Sequence, residues 1–322
     1  MIYLLSQNLL SPAIYFFILG IIAGALKSDL NVPESMGRYL SIYLMMSIGF
    51  KGGTSISELN SVSYILIYTI FAAIFISAVI PFIGFFILKF STTLDKPTAA
   101  ALAAHYGSVS VVTFAAAVNF LEVNKIFYSG YMVSILAIME VPAILSGLYI
   151  AHKCAPETNK HKKEENILAK EIFTNGAVLL MIGSFIAGIF TGKPGLDQLH
   201  GFLVAPFKGI LCLFLMDMGL LVTKRFQNLK AISFNVIAFG IYMPIISIIF
   251  AILITKFVKM SNADSFLFLT LAASSSYIAV PAAMRLALPE AKTSIYMPIS
   301  LGVTFPFNII FGIPVYFYLS FV

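Results

Sequence analysis

The sequence predicts an all-α integral membrane protein: ten transmembrane helices in two inverted five-helix repeats, with broken crossing helices at the fourth and ninth spans. Three observations carry this. Of 322 residues, 60% are hydrophobic and 11% charged, against about 45–50% and 25% in soluble domains. The apolar residues fall into runs of membrane-spanning length. Residues of the first half recur in the second at a nearly constant offset.

A span needs about 20 mostly apolar residues. The first run, 8–26, follows an N-terminus whose first charge is Lys27. A secretory signal has basic residues ahead of its apolar stretch, so this run reads as a retained helix. The others are 36–52, 61–89, 97–120, 128–151, 172–192, 201–222, 229–257, 264–286 and 293–320. A membrane barrel would show alternating segments of about 10 residues, and none occur here. Cys154 and Cys212 have no partner spacing for a disulfide framework or zinc site.

The formal net charge of +6 sits in short loops. It therefore reads as a topology signal, with the lipid bilayer rather than nucleic acid as the partner. Of the 20 Lys and Arg, 14 lie in the odd-numbered loops and adjoining helix ends. The positive-inside rule places those loops in the cytoplasm and both termini outside, in an inner (plasma) membrane. The domain division is then a first repeat over 1–152, a cytoplasmic linker over 153–170 and a second, inverted repeat over 171–322, with core and gate domains interleaved across both.

The repeat rests on five matches in order: Gly20-Ile-Ile-Ala-Gly24 with Gly188-Ile-Phe-Thr-Gly192, Met46-Ser-Ile-Gly49 with Met216-Asp-Met-Gly219, Ala103-Ala104 with Ala272-Ala273, Glu122 with Glu290, and Tyr131-Met132 with Tyr296-Met297. Five helices per half is an odd number, so the second half inserts upside down. Inverted repeats are a signature of secondary transporters. The two Gly-x-x-x-Gly pairs also read as close-packing sites.

A pair of interrupted helices at equivalent places points to the substrate site. The fourth span carries His105-Tyr106-Gly107-Ser108-Val109-Ser110, then Thr113; the ninth carries Ser274-Ser275-Ser276-Tyr277, then Pro281. Gly107 and Pro281 weaken regular helix. Exposed helix N-termini favour an anion, while freed carbonyls and hydroxyls favour a hard cation such as sodium. The candidate anion-binding residues are Gly107, Ser108, Val109, Ser110, Ser274, Ser275, Ser276 and Tyr277. The candidate cation-binding residues are Ser110, Thr113, Ser275 and Glu140. Glu140, within the fifth span, reads as a cation ligand or proton carrier, because intramembrane carboxylates are costly. Asp217 reads equally as a structural partner of a neighbouring helix end, and His105 as a hydrogen-bonded packing residue. Arg285 reaches for the cytoplasmic interface.

No H-E-x-x-H, G-x-S-x-G or P-loop pattern occurs. The expectation is no enzyme and no cofactor beyond a coupling ion, with transport driven by an ion gradient or passive.

Over nearly its whole length the chain resembles the sodium-dependent bicarbonate permease family, of the cyanobacterial SbtA type. The resemblance is clearest at Gly49-Phe-Lys-Gly-Gly53, Gly107-Ser-Val-Ser110 with Thr113, Met139-Glu-Val-Pro-Ala143, and Ala272-Ala-Ser-Ser-Ser276 running to Pro281 and Arg285. It implies sodium-dependent bicarbonate symport by alternating access, a core domain moving against a gate domain, a homotrimer and a PII-like cytoplasmic regulatory protein. In the cyanobacterial pattern an acid follows the serine triplet, where this chain has Tyr277, and a Gly-Ser pair stands where it has Val111-Val112. Another small or organic anion on the same fold, a non-transporting membrane receptor, and a cation/proton antiporter using Glu140 are the competing readings.

Overall fold

The computed structural model describes residues 11–58, 63–154, 176–229, 232–277, 280–281, 284, 288 and 290–322. Arg285 and most of the expected linker over 153–170 lie outside them. Among the described residues every regular element is helical. The helices are α1 (Pro12–Ala25), α2 (Glu34–Ser57), α3 (Tyr64–Ser91), α4 (Lys96–Gly107), α5 (Val111–Val123), α6 (Met132–Cys154), α7 (Gly176–Gln198), α8 (Phe207–Leu229), α9 (Phe234–Val258) and α10 (Asn262–Ala273). The last, α11 (Thr293–Phe321), incorporates two π turns, Ser300–Thr304 and Asn308–Gly312. Among the described residues, six of the ten expected spans are helical stretches long and apolar enough to cross a bilayer: Tyr64–Ser91, Lys96–Val123, Met132–Ile150, His200–Lys224, Phe234–Val258 and Thr293–Phe321.

Burial divides these helices into two kinds. In α4, α5 and α10 almost every side chain is buried, including Ala99 to Ala104 and Ala263 to Ala273. A helix buried on all sides has no polar face to show, and small alanines let its neighbours approach closely. In contrast, α3 and α9 turn large apolar side chains outward, among them Phe71, Phe75, Phe90, Phe234 and Phe257. On a chain of this composition such faces belong to lipid. The broken helices therefore sit at the centre, with intact helices around them.

Glycines set two close helix crossings. A Cβ on Gly20 of α1 would lie 2.0 Å from the Met216 carbonyl oxygen of α8, and one on Gly219 would lie 2.3 Å from that of Phe17. A Cβ on Gly53 of α2 would lie 1.9 Å from the Phe185 carbonyl oxygen of α7, and one on Gly188 would lie 2.2 Å from that of Phe50. Packing thus explains three of the four Gly-x-x-x-Gly glycines, since Gly24 meets Thr223. Gly192 differs: its φ of +57° breaks the α7 path ahead of Pro194, a conformation costly for any other residue.

Helix α2 runs beyond the expected 36–52 to Ser57. Lys51 is accommodated there because its ammonium lies 3.4 Å from Glu122 of α5 and over the Phe207 ring. Near the other end of the molecule's chain, Lys292 reaches Asp95 at 3.0 Å. Partial burial pushes the Asp95 carboxyl up, but hydrogen bonds from Thr98 and the Lys292 charge outweigh it and hold it below the ordinary aspartate range.

Asp264, in the first turn of α10, is a structural carboxylate that composition does not reveal. Its oxygens accept from the Ser129 amide at 2.8 Å, the Ser129 hydroxyl at 2.8 Å and the Tyr131 hydroxyl at 3.2 Å. This ties α10 to the entry of α6. Asp264→Ala takes this acceptor from two partly buried Ser129 donors and the buried Tyr131 hydroxyl and is expected to cost about 3 kcal/mol. Asp264→Asn, which keeps one acceptor oxygen, should lose less. Thermal unfolding in detergent checks the order; an Ala variant as stable as the parent contradicts it.

Candidate functional site

The fourth span breaks where the serines begin. Helix α4 ends at Gly107, and Ser108 (φ −89°, ψ 172°) and Ser110 (φ −105°, ψ 109°) are extended. A Cβ on Gly107 would lie 2.4 Å from Pro81 and 2.6 Å from the Ser77 carbonyl oxygen, so the glycine lets α3 lean into the break. Ser110 then caps α5. Its hydroxyl oxygen accepts from the Thr113 amide at 3.2 Å and the Thr113 hydroxyl at 2.9 Å. The leading amides of α5 have no partner within the helix and open onto the break.

The ninth span breaks at Ser274–Ser276, ahead of Pro281, and hydroxyl chemistry supplies the reason. Ser274 Oγ donates to the Leu271 carbonyl at 2.8 Å, and Asn308 Nδ2 takes the Ala273 carbonyl at 2.9 Å. Both compete with continuation of the helix.

The two breaks lock together. The Ser110 amide donates to Ser274 Oγ at 2.9 Å, and the Ser276 amide donates to the His105 carbonyl at 2.9 Å. All eight candidate anion residues, Gly107 to Ser110 and Ser274 to Tyr277, are buried. Ser108 Oγ donates to the Glu140 carboxylate of α6. Glu140 is thereby joined to the break. Its helix runs on through Pro142, which lacks an amide hydrogen; Ser77 of α3 donates to the nearby Met139 carbonyl.

Helix α11 forms the third side of the crossing, which the sequence reading missed. The Tyr296 ring lies 4.8 Å from that of His105. The Ser300 carbonyl accepts from Ser275 Oγ at 3.5 Å. Thr304 accepts from the Tyr106 hydroxyl at 2.6 Å and donates to the Gly240 carbonyl at 2.7 Å. Asn308 holds the end of α10. The signal was a polar stripe at strict four-residue spacing. Such a stripe drifts around an α-helix of 3.6 residues per turn, and the two wider π turns take up the drift.

Three fully or nearly fully buried polar atoms at this crossing lack hydrogen-bond partners: His105 Nε2, Tyr277 OH and Ser300 Oγ. The Tyr277 hydroxyl faces Ser110 without completing a bond. His105 is otherwise satisfied, with Nδ1 2.6 Å from the Ala101 carbonyl, as a packing histidine would be. Asp217 lies on α8 with its carboxylate against Gly37 of α2. Among the described residues no three His, Cys, Asp or Glu gather for a metal ion. The oxygens at the crossing are hydroxyls and carbonyls with the single Glu140 carboxylate, a donor set that suits a hard ion.

Two helix breaks buried at their meeting point, with orphaned polar groups there and a shell of lipid-facing helices outside, form the architecture of a membrane transporter core. The chain belongs to the Na+-dependent bicarbonate transporter superfamily, whose family model matches residues 12–320. It is thus a multi-pass membrane protein of a transporter family, not of an enzyme family. No curated protein matches the chain.

Proposed function

We propose that the protein is a sodium-coupled bicarbonate symporter working by alternating access, with its site at the meeting of the two breaks. The observation that carries this is the mutual hydrogen bonding of the breaks, Ser110 to Ser274 and Ser276 to His105, beside unpartnered buried hydroxyls. The α5 N-terminus supplies amides for an anion. Hydroxyls and carbonyls supply oxygens for sodium, with Glu140 within hydrogen-bond contact of Ser108.

A small anion suits the packing better than an organic one. The Tyr106 ring is closed against Phe239 at 4.9 Å, and the Tyr277 ring against Phe305 at 5.6 Å. The inverted repeat is part of the proposal. Exchanging the two halves carries the α1–α8 pair, in contact at Gly20 and Gly219, onto the α7–α2 pair, in contact at Gly188 and Gly53, one turn from the Gly49 that the sequence match gives; this pairing of helices is what a two-fold in the membrane plane generates. Cytoplasmic odd loops, outward termini and interleaved core and gate domains complete the reading.

The test is uptake of labelled bicarbonate into proteoliposomes with and without an inward sodium gradient. Sodium-dependent uptake is expected, and replacing Ser108, Ser110 and Ser275 together by Ala should reduce it at least about 100-fold, since each loses a contact at the ion or the break. Uptake competed by organic carboxylates but not by bicarbonate would reassign the anion; no flux at any gradient would remove the transport reading.

A further inference from the structure

Hydroxyl side chains in the helices of this protein have a habit. Thr54, Thr69, Ser91, Ser184, Thr270 and Ser320 each donate to the carbonyl four residues earlier, which is how membrane helices usually satisfy a hydroxyl. Ser300 does not. Its side chain is fully buried in α11 and its Oγ has no partner, although the Tyr296 carbonyl lies one turn back on the same helix. A buried hydroxyl left unpaired costs about 1–3 kcal/mol. Beside Ser300 Oγ stand its own carbonyl and the Ser275 hydroxyl of the break. Its own carbonyl accepts from the Phe305 amide across the π turn and from Ser275 Oγ at 3.5 Å. That last separation is long for a hydrogen bond. It matches two neighbouring oxygens on an ion held at about 2.4 Å from each.

We propose that Ser300 of α11, with Ser275 of the ninth-span break, holds the coupling cation: a hard monovalent ion bound by Ser275 Oγ, the Ser300 carbonyl and Ser300 Oγ. This rests on the crossing being the transport site and places an ion ligand on the last helix. A carbonyl oxygen is acceptor-only and repels an anion, so the pocket selects positive charge. The π turn widens the helix at this residue, as π turns often do at functional sites. Binding there ties α11 to the break, so an occupied site braces the crossing against motion.

The experiment uses the full chain with Ser300→Ala and Ser300→Cys. Cysteine keeps the volume but offers soft sulfur in place of hard oxygen. Ser247→Ala, which removes another buried unpartnered hydroxyl, controls for generic loss. Two readouts are taken: the sodium concentration for half-maximal bicarbonate uptake, and the rise in detergent melting temperature when sodium replaces choline. Both Ser300 variants should raise the half-saturating sodium about tenfold, leave the bicarbonate KM at saturating sodium unchanged and lose the sodium-induced rise. Ser247→Ala should change neither. Wild-type sodium dependence in Ser300→Cys overturns the proposal, because packing alone then explains Ser300. Sodium-dependent uptake unaltered by either variant overturns it while the transport reading stands. A sodium-induced rise that the variants lose, without bicarbonate flux, supports the ion site and removes the bicarbonate assignment. A wild type with no sodium response in either readout overturns it outright.

Discussion

Gly53→Ala should sharply reduce the yield of folded protein, whereas Gly183→Ala on the neighbouring helix should be harmless. The added methyl on Gly53 would sit 1.9 Å from the Phe185 carbonyl oxygen and 2.9 Å from the Ile189 amide nitrogen. Those are backbone atoms of α7 and cannot rotate away, so α2 and α7 must separate. Overpacking of this kind costs about 1–3 kcal/mol and occasionally more. Separation also forfeits the dispersion contacts that drive helix association in lipid, where no hydrophobic effect acts between helices. We place the loss at the top of that range, with a melting temperature in detergent lower by several degrees. Gly183 lies on α7 too, but a Cβ there meets nothing within 4 Å. Alanine at that position removes backbone freedom from the unfolded chain and should be neutral or stabilising by up to about 1 kcal/mol. The pair separates close approach from glycine content. Equal melting temperatures for the two variants would show that the α2–α7 crossing does not depend on Gly53.

The places where the sequence was and was not legible have physical causes. Six of the ten expected spans could be read as helices long and apolar enough to cross, because a bilayer imposes a length and an apolar composition that no loop mimics. The first break could be read because Gly107 and the serines change the local chemistry together. The second was placed with Pro281 in mind, yet the helix ends at Ala273, because a side chain from α11, Asn308, takes the Ala273 carbonyl. A partner from a distant helix leaves no mark near the residues it acts on. The same holds for Asp264, whose three donors lie in the segment before α6. The α11 stripe of Ser300, Thr304 and Asn308 was present in the sequence. Its four-residue period is off the 3.6-residue helical repeat, and the π turns bring it into line. Gly192 shows the converse: the Gly-x-x-x-Gly spacing suggested packing, and the backbone uses that glycine for its left-handed φ.

Removing the Glu140 carboxylate should divide its two roles. Its side chain is 4% exposed and accepts the Ser108 hydroxyl hydrogen, so it positions the extended segment; in the proposed function its carboxylate also serves the cation. Glu140→Ala removes both: Ser108 loses its acceptor, the segment loses its tether to α6, and uptake is expected to fall at least about 100-fold, the scale of a lost positioning contact at a reacting site. Glu140→Gln keeps a carbonyl oxygen for Ser108 and removes only the charge. It should fold like the parent and retain the bicarbonate KM at saturating sodium, but need about tenfold more sodium, as expected when one ligand of a cation site turns from charged to neutral. The measurement is bicarbonate uptake against sodium concentration for the three proteins, with melting temperatures alongside. Unchanged sodium dependence in Glu140→Gln would confine Glu140 to holding the segment and leave the cation to neutral oxygens alone. A uniform loss of uptake in both variants at every sodium concentration, with intact folding, would instead make the carboxylate's proton the moving species and favour the cation/proton antiport reading. The charge-only substitution decides among these because Ser108 keeps its partner throughout.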